Sequence, residues 1–149
     1  MDKVLLIDII RRYEQANFTV NRRLNALIRE LMQEELTIDQ YSTIRYIREH
    51  ERATSSELAD IFCVGKSSIT AIITRLSDKE LIRRVPDEKD RRVTYLMLTE
   101  EGKRLSDTME EKMQELLAKY IRHFSEQEGL AFIETYEKLA RVLMEPGEE

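Results

Sequence analysis

The sequence predicts a mainly α-helical protein carrying one small β-hairpin, on three observations. Only 4 glycines and 2 prolines occur in 149 residues, so little interrupts a helix. Apolar residues recur at three- and four-residue spacing over long stretches, the mark of helices that bury one face. A single pair of β-prone runs lies between residues 81 and 98, separated by a charged loop. The length suits one domain able to bury a core without disulfides or a structural metal.

The first helix is the longest. Residues 4–34 contain no Gly or Pro, and Leu6, Ile10, Tyr13, Val20, Leu24, Leu27 and Leu31 form a seam when Asn17 occupies one step. A helix of about 30 residues runs about 45 Å and outreaches a small domain. Its seam serves either an internal core or a dimerisation contact, and Asn17 either sets register or touches a ligand.

Three later helix starts carry the capping-box pattern, in which a side-chain oxygen accepts from an orphan N–H and the third following residue reaches back: Thr37-x-x-Gln40, Thr54-x-x-Glu57 and Ser125-x-x-Glu128. They predict helices near 38–50, 55–62 and 126–144. Tyr41, Ile44 and Ile47 supply the apolar stripe of the first, and Leu58, Ile61 and Phe62 that of the second. Cys63-Val64-Gly65-Lys66 reads as a tight turn with Gly65 at the N-cap of the next helix, Lys66 to about Lys79. That helix buries Ile69, Ile72, Ile73 and Leu76 and leaves Ser67, Ser68, Thr70, Ala71, Thr74 and Arg75 on its other sides.

Leu81–Val85 and Val93–Leu98 then read as a hairpin around Pro86-Asp87-Glu88-Lys89-Asp90-Arg91-Arg92. Thr99 suits an N-cap, with Glu100 and Glu101 placed favourably in the dipole of a helix running to about His123. The tail from Glu145 to Glu149 is expected to fray.

Several function classes are excluded or disfavoured. Cys63 is the only cysteine, so no intramolecular disulfide forms, and with only His50 and His123 beside it no Cys/His zinc cluster is expected. Lys66-Ser67-Ser68 lacks the glycines of a phosphate loop, and no nucleophile and base stand at a usable spacing, so neither enzyme activity nor a cofactor is expected. Asp2 and Asp8 interrupt the N-terminal apolar stretch, which does not read as a signal peptide, and no run reaches a membrane span. The expectation is a soluble, cytoplasmic protein.

The net charge of −5 hides an uneven distribution: residues 66–92 hold 8 Lys/Arg against 5 Asp/Glu, while both flanks are acidic. A local basic patch is what phosphate binding needs. Residues 54–98 read helix, short turn, helix, hairpin, the order of a helix-turn-helix followed by a wing. Ser67, Ser68, Thr70, Thr74 and Arg75 would face double-stranded DNA, short side chains letting the backbone approach base edges in the major groove. Arg91 and Arg92 would meet phosphates or the narrow minor groove, whose potential favours arginine. Asp90 is assigned to shaping the wing by orienting a guanidinium. The competing reading is a winged-helix protein–protein assembly module in which Arg83, Arg84, Arg91 and Arg92 meet an acidic partner.

The same residues resemble a known family. The spaced Asp87, then Asp90-Arg91-Arg92, then Leu98-Thr99-Glu100-Glu101-Gly102 is similar to the wing signature of MarR-type winged-helix proteins. Glu57-Leu58-Ala59 resembles the start of that family's first helix-turn-helix helix, and Ser68-Ile69-Thr70 with Arg75-Leu76 its recognition helix. The resemblance implies a homodimer joined through residues 1–35 and 100–149, with a winged helix-turn-helix over 36–99, repressing from a pseudo-palindromic operator. It also implies a pocket for a small aromatic or anionic effector, for which Tyr13, Asn17, Tyr41 and Arg45 are the candidates. Two departures stand out. Ala71 occupies a position where many relatives carry a larger polar or basic residue, and Cys63 lies at the interhelical turn, where it is expected as a small buried residue and not as a peroxide sensor.

Overall fold

In the computed structural model, which describes residues 1–33 and 35–147, helices α1 (Lys3–Met32), α2 (Ile38–His50), α3 (Ser55–Ile61) and α4 (Lys66–Asp78) come first. Strands β1 (Ile82–Pro86) and β2 (Thr94–Leu98) follow, then helices α5 (Glu100–Ile121) and α6 (Glu126–Met144). The chain divides into two compact units, Met1–Glu110 and Glu111–Glu149. No helix among the described residues is long and apolar enough to cross a membrane.

Local chemistry explains where the helices of the first unit begin. Thr37 and Gln40 form the full reciprocal box at α2, satisfying two otherwise unpaired N–H groups. Thr54 caps α3 by accepting from the Glu57 N–H, but the return half of that expected box is replaced: the Glu57 carboxylate accepts from the Tyr46 hydroxyl of α2 at 2.7 Å. Either bond would be charge-assisted, since the acceptor is the same carboxylate; the tertiary contact with Tyr46 takes it away from the local backbone donor. Tyr46 also stacks on His50, and its ionisation is pushed above the usual tyrosine range by the Glu57 carboxylate it donates to.

The turn between α3 and α4 differs from its sequence reading. Cys63 has φ 53° and is exposed, so it is not the small buried residue expected. Its N–H donates to the Asp60 carbonyl at 3.1 Å and the Val64 N–H donates to the Ala59 carbonyl at 3.1 Å, the paired closure that ends a helix in a left-handed residue. That residue is pushed outward by the turn. Gly65 keeps an extended φ of −73° as the N-cap of α4. Ile61 is likewise 46% exposed, and Ala59 takes the buried place beside Leu58, because a two-turn helix closing at Phe62 rotates Ile61 away from the core. The same closure ends α4: Glu80 has φ 59°, and the Leu81 N–H donates to Leu76.

β1 and β2 pair antiparallel with Ile82 opposite Leu98 and Pro86 opposite Thr94. Ala53 adds a one-residue third strand, exchanging bonds with Leu96 at 3.1 and 2.7 Å. At the hairpin's base the Thr99 hydroxyl donates to the Glu80 carbonyl at 2.7 Å and accepts from the Gly102 N–H at 3.0 Å. A Cβ on Gly102 would stand 2.1 Å from the Leu81 carbonyl oxygen, so only glycine permits this approach. The Leu-Thr-x-x-Gly motif is therefore a clasp between the end of α4 and the start of α5.

The core of this unit gathers Met32, Ile44, Ile47, Leu58, Ile69, Ile73, Leu76, Leu81, Ile82, Leu96, Leu98 and Met109. Burying each such side chain contributes about 1.5–3 kcal/mol. By contrast, Met32 is the only residue of α1 that is fully buried, and Leu6, Ile10, Tyr13 and Val20 of its seam remain exposed. In the second unit, the Ser125–Glu128 box starts α6, which has no buried residue and exposes Leu130, Phe132, Ile133, Tyr136 and Leu143.

Candidate nucleic-acid interface

The candidate interface is built on α4, held from behind by Ile69 at 0%, Ile73 at 2% and Leu76 at 0% exposure. At 100° per residue, Ser67, Ala71, Thr74 and Asp78 form the stripe opposite that buried side. Ser68 and Arg75 lie on one flank of the stripe and Thr70 on the other. All seven are exposed. The Thr70 hydroxyl donates to the Lys66 carbonyl at 2.7 Å, so outward it offers only lone pairs and a methyl. Arg75 also lines a groove shared with Arg29 of α1.

The wing loop, residues 87–93, is organised by two aspartates. The Asp87 N–H donates to the Val93 carbonyl at 2.9 Å, and its carboxylate accepts from the Asp90 N–H at 3.2 Å. Asp90 in turn accepts from the Arg92 N–H at 3.0 Å, from Nε at 3.2 Å and from the guanidinium end at 3.3 Å. The Arg92 contacts, side chain first and backbone second, hold the Asp90 carboxyl below the usual carboxylate range. Arg91 has no ion pair among the described residues and projects from the same loop. The two arginines are thus unequal: Arg92, still 91% exposed, is paired with Asp90, and Arg91 has no such partner among the described residues.

Arg52 escaped the sequence reading. Its guanidinium lies 4.0 Å from the centre of the Tyr95 ring on β2, a cation–π contact across 43 positions of sequence. Its only forewarning is that it precedes Ala53, whose pairing with Leu96 brings the two together. On the same side of the hairpin, Arg83 stands opposite Met97 and approaches its sulfur at 3.9 Å.

The four candidate effector residues fall into two pairs, each on consecutive turns of one helix. Tyr41 and Arg45 lie on α2, where Arg45 is engaged with Glu49 at 3.0 Å and burial pushes the Tyr41 hydroxyl above its ordinary pKa. Tyr13 and Asn17 lie on α1, Tyr13 about half exposed and Asn17 accepting from the Asn21 amide at 3.1 Å. Among the described residues no three His, Cys, Asp or Glu side chains stand close enough to hold a metal ion.

Comparison with known proteins agrees with this arrangement. The MarR family profile matches residues 36–94, from the residue before the α2 cap to the first residue of β2. The uncharacterised HTH-type transcriptional regulator YpoP of Bacillus subtilis is 30% identical over 112 residues, 75% of this chain and 79% of its own length. The transcriptional repressor MdtR of the same organism is 29% identical over 115 residues, 77% of this chain and 74% of its own. A mutant MarR of Escherichia coli solved with operator DNA shares the fold, with a TM-score of 0.73 over 94% of this chain and 99% of its own at 22% identity. With its helix-turn-helix, its aspartate-braced wing and its threonine–glycine clasp in this order, the chain belongs to the MarR family.

Proposed function

We propose that this chain is a sequence-specific regulator that binds double-stranded DNA as a homodimer and represses transcription from a pseudo-palindromic operator. The observation that carries the reading is α4: a helix fixed by three buried aliphatic residues and presenting Ser67, Ala71 and Thr74, followed by a loop whose Arg91 has no ion pair among the described residues. Such a helix fits the major groove, and such a loop suits phosphates or the minor groove. Ser67, Ser68, Thr70, Thr74 and Arg75 read or position, Arg91 and Arg92 supply charge, and Asp90 shapes the loop. The operator-bound relative and the relative named a repressor support the same direction.

Homodimerisation has its own support in the apolar side chains left uncovered on α1 and, separately, on α6, since exposed apolar helix faces mark interaction surfaces. Residues 1–35 and 100–149 are the proposed dimer region and 36–99 the DNA-binding region. Release by a small aromatic or anionic effector near Tyr13, Asn17, Tyr41 and Arg45 completes the scheme, through a lobe spacing that no longer matches two half-sites.

Fluorescence polarisation with duplexes from upstream of the chain's own gene tests the proposal. Binding is expected to fall steeply as salt rises from about 50 to 200 mM, because phosphate contacts release counterions. Absence of binding at the low-salt end by folded, dimeric protein would overturn it, and a pull-down of an acidic protein through the four wing-side arginines would then favour the assembly reading.

A further inference from the structure

The link from α2 to the hairpin is strained. Glu51 has φ 67° and ψ −40°, and the Arg52 N–H donates to the His50 carbonyl, two residues back, at 2.8 Å. This is a γ-turn with positive φ at its centre, the rare and strained form. The positive φ of Cys63 and Glu80 belongs to paired helix closures, whereas the bond closing the turn at Glu51 reaches only from Arg52 to His50. Strain of this kind persists where the surroundings over-determine it, and it gathers where a group has to be aimed.

What the turn aims is Arg52. The next residue, Ala53, is 1% exposed and is locked to Leu96 by two backbone bonds, so the chain is fixed on both sides of residue 52. The Arg52 guanidinium lies over the Tyr95 ring, and Arg52 has no ion pair among the described residues. Tyr95 pairs with Val85, one step inside the Pro86–Thr94 pair from which the wing loop springs. The clasp at Thr99 holds the opposite end of the hairpin, about 13 Å away along the strand. Among the described residues, the bridge from Ala53 to Leu96 is the outermost backbone tie between the hairpin and the body of its unit. The contact of Arg52 with Tyr95 lies one residue further out, toward the loop.

We infer that Arg52 is the positioning residue of the wing: stacked on Tyr95, it fixes the lean of the outer hairpin against the end of α2 and so sets where Arg91 meets a duplex. Arg52 acts through Tyr95 and is not itself a phosphate contact. The ring face attracts the cation, and the planar guanidinium is the part that stacks, so lysine is a poor replacement. The consequence for DNA rests on the proposed function; the effect of Arg52 on the hairpin does not.

The test measures duplex affinity and its salt slope by fluorescence polarisation, with melting curves to show that each variant is folded. Arg52→Gln is expected to weaken binding about threefold, the loss of one exposed cation–π contact, and to leave the salt slope unchanged. Tyr95→Leu should reproduce that loss, Tyr95→Phe should be spared because the ring remains, and Arg52→Lys should recover only part. Combined with Arg91→Ala, Arg52→Gln is expected to add no further loss, since the group it positions is gone. A role in stability alone would leave the two losses additive and would overturn the proposal. A salt slope smaller by about one in Arg52→Gln would overturn it too, by making Arg52 a phosphate contact. Equal losses in Tyr95→Phe and Tyr95→Leu, or no loss in Arg52→Gln, also refute it. In the free protein, NMR relaxation of Arg52→Gln should show lower order parameters from Arg91 to Tyr95 and unchanged ones in α4. Unchanged values in the hairpin overturn the positioning role. A protein that binds no duplex refutes the proposed function, while the relaxation measurement still decides whether Arg52 steadies the wing.

Discussion

The helix α4 and the wing loop lie in the same unit but are held by different forces. α4 is positioned by apolar burial from behind, and its outward face makes few bonds of its own. The loop has almost no apolar anchor; two aspartates, several backbone N–H groups and one guanidinium give it its shape. Position and charge are therefore supplied separately, the helix placing groups near a target and the loop presenting a cation. Substitutions, salt and acid should act on the two regions in different ways.

The largest effect is expected from the helix's support. Leu76→Ala leaves a cavity under α4 and should cost about 3 kcal/mol of stability in chemical denaturation. Duplex binding should fall in parallel, through loss of the fold. A variant that unfolds normally but loses binding would contradict the view that burial alone positions the helix.

Next come the loop cations. Arg91→Ala should weaken duplex binding about tenfold and reduce the salt slope by about one, with the melting temperature unchanged. Arg92→Ala should cost less, because its guanidinium is already paired with Asp90. If Arg92 proved the more damaging, the brace would have to open on binding and the two arginines would exchange roles.

A smaller effect is expected on the outward face of α4. Ser68→Ala or Thr70→Ala should shift base preference in a library selection by about 1 kcal/mol at one position, with the salt slope intact. Thr70 in particular should favour positions that donate to it, since its own proton is committed to Lys66. A changed slope would show that these side chains contact phosphates instead.

The smallest effect concerns pH. Asp90 has a depressed pKa, so the order it gives the loop is complete above the ordinary carboxylate value and is lost as pH falls through the lowered one. The Arg92 amide resonance should therefore hold steady from neutrality down to that ordinary value and move only in stronger acid. Movement near pH 6 would mean that another group organises the loop.

Much of this was legible because helix starts are local. The Thr37 and Ser125 boxes and the Thr99 cap each lie within four residues, and they mark α2, α6 and α5 within a residue or two. The α4 stripe was equally readable from apolar spacing. What failed was set by contacts between distant residues. The Thr54 box lost its return bond to Tyr46, eleven positions before Glu57. Cys63 is the local exception: expected buried as a small apolar residue, it is exposed because helix closure sets the left-handed backbone at that position. Arg52 met Tyr95 only through the single bridge at Ala53. The groove beside Arg75 has no sequence signature, since three helix ends converge to make it.

The clasp formed by Thr99 and Gly102 bears on how the wing can be redesigned. It fastens both ends of the hairpin to the close of α4, at Glu80 and Leu81, independently of the seven residues at the tip. The tip is therefore an interchangeable cartridge on a rigid socket: loops of other length or charge can be grafted between Pro86 and Thr94 without retuning the helix that carries them.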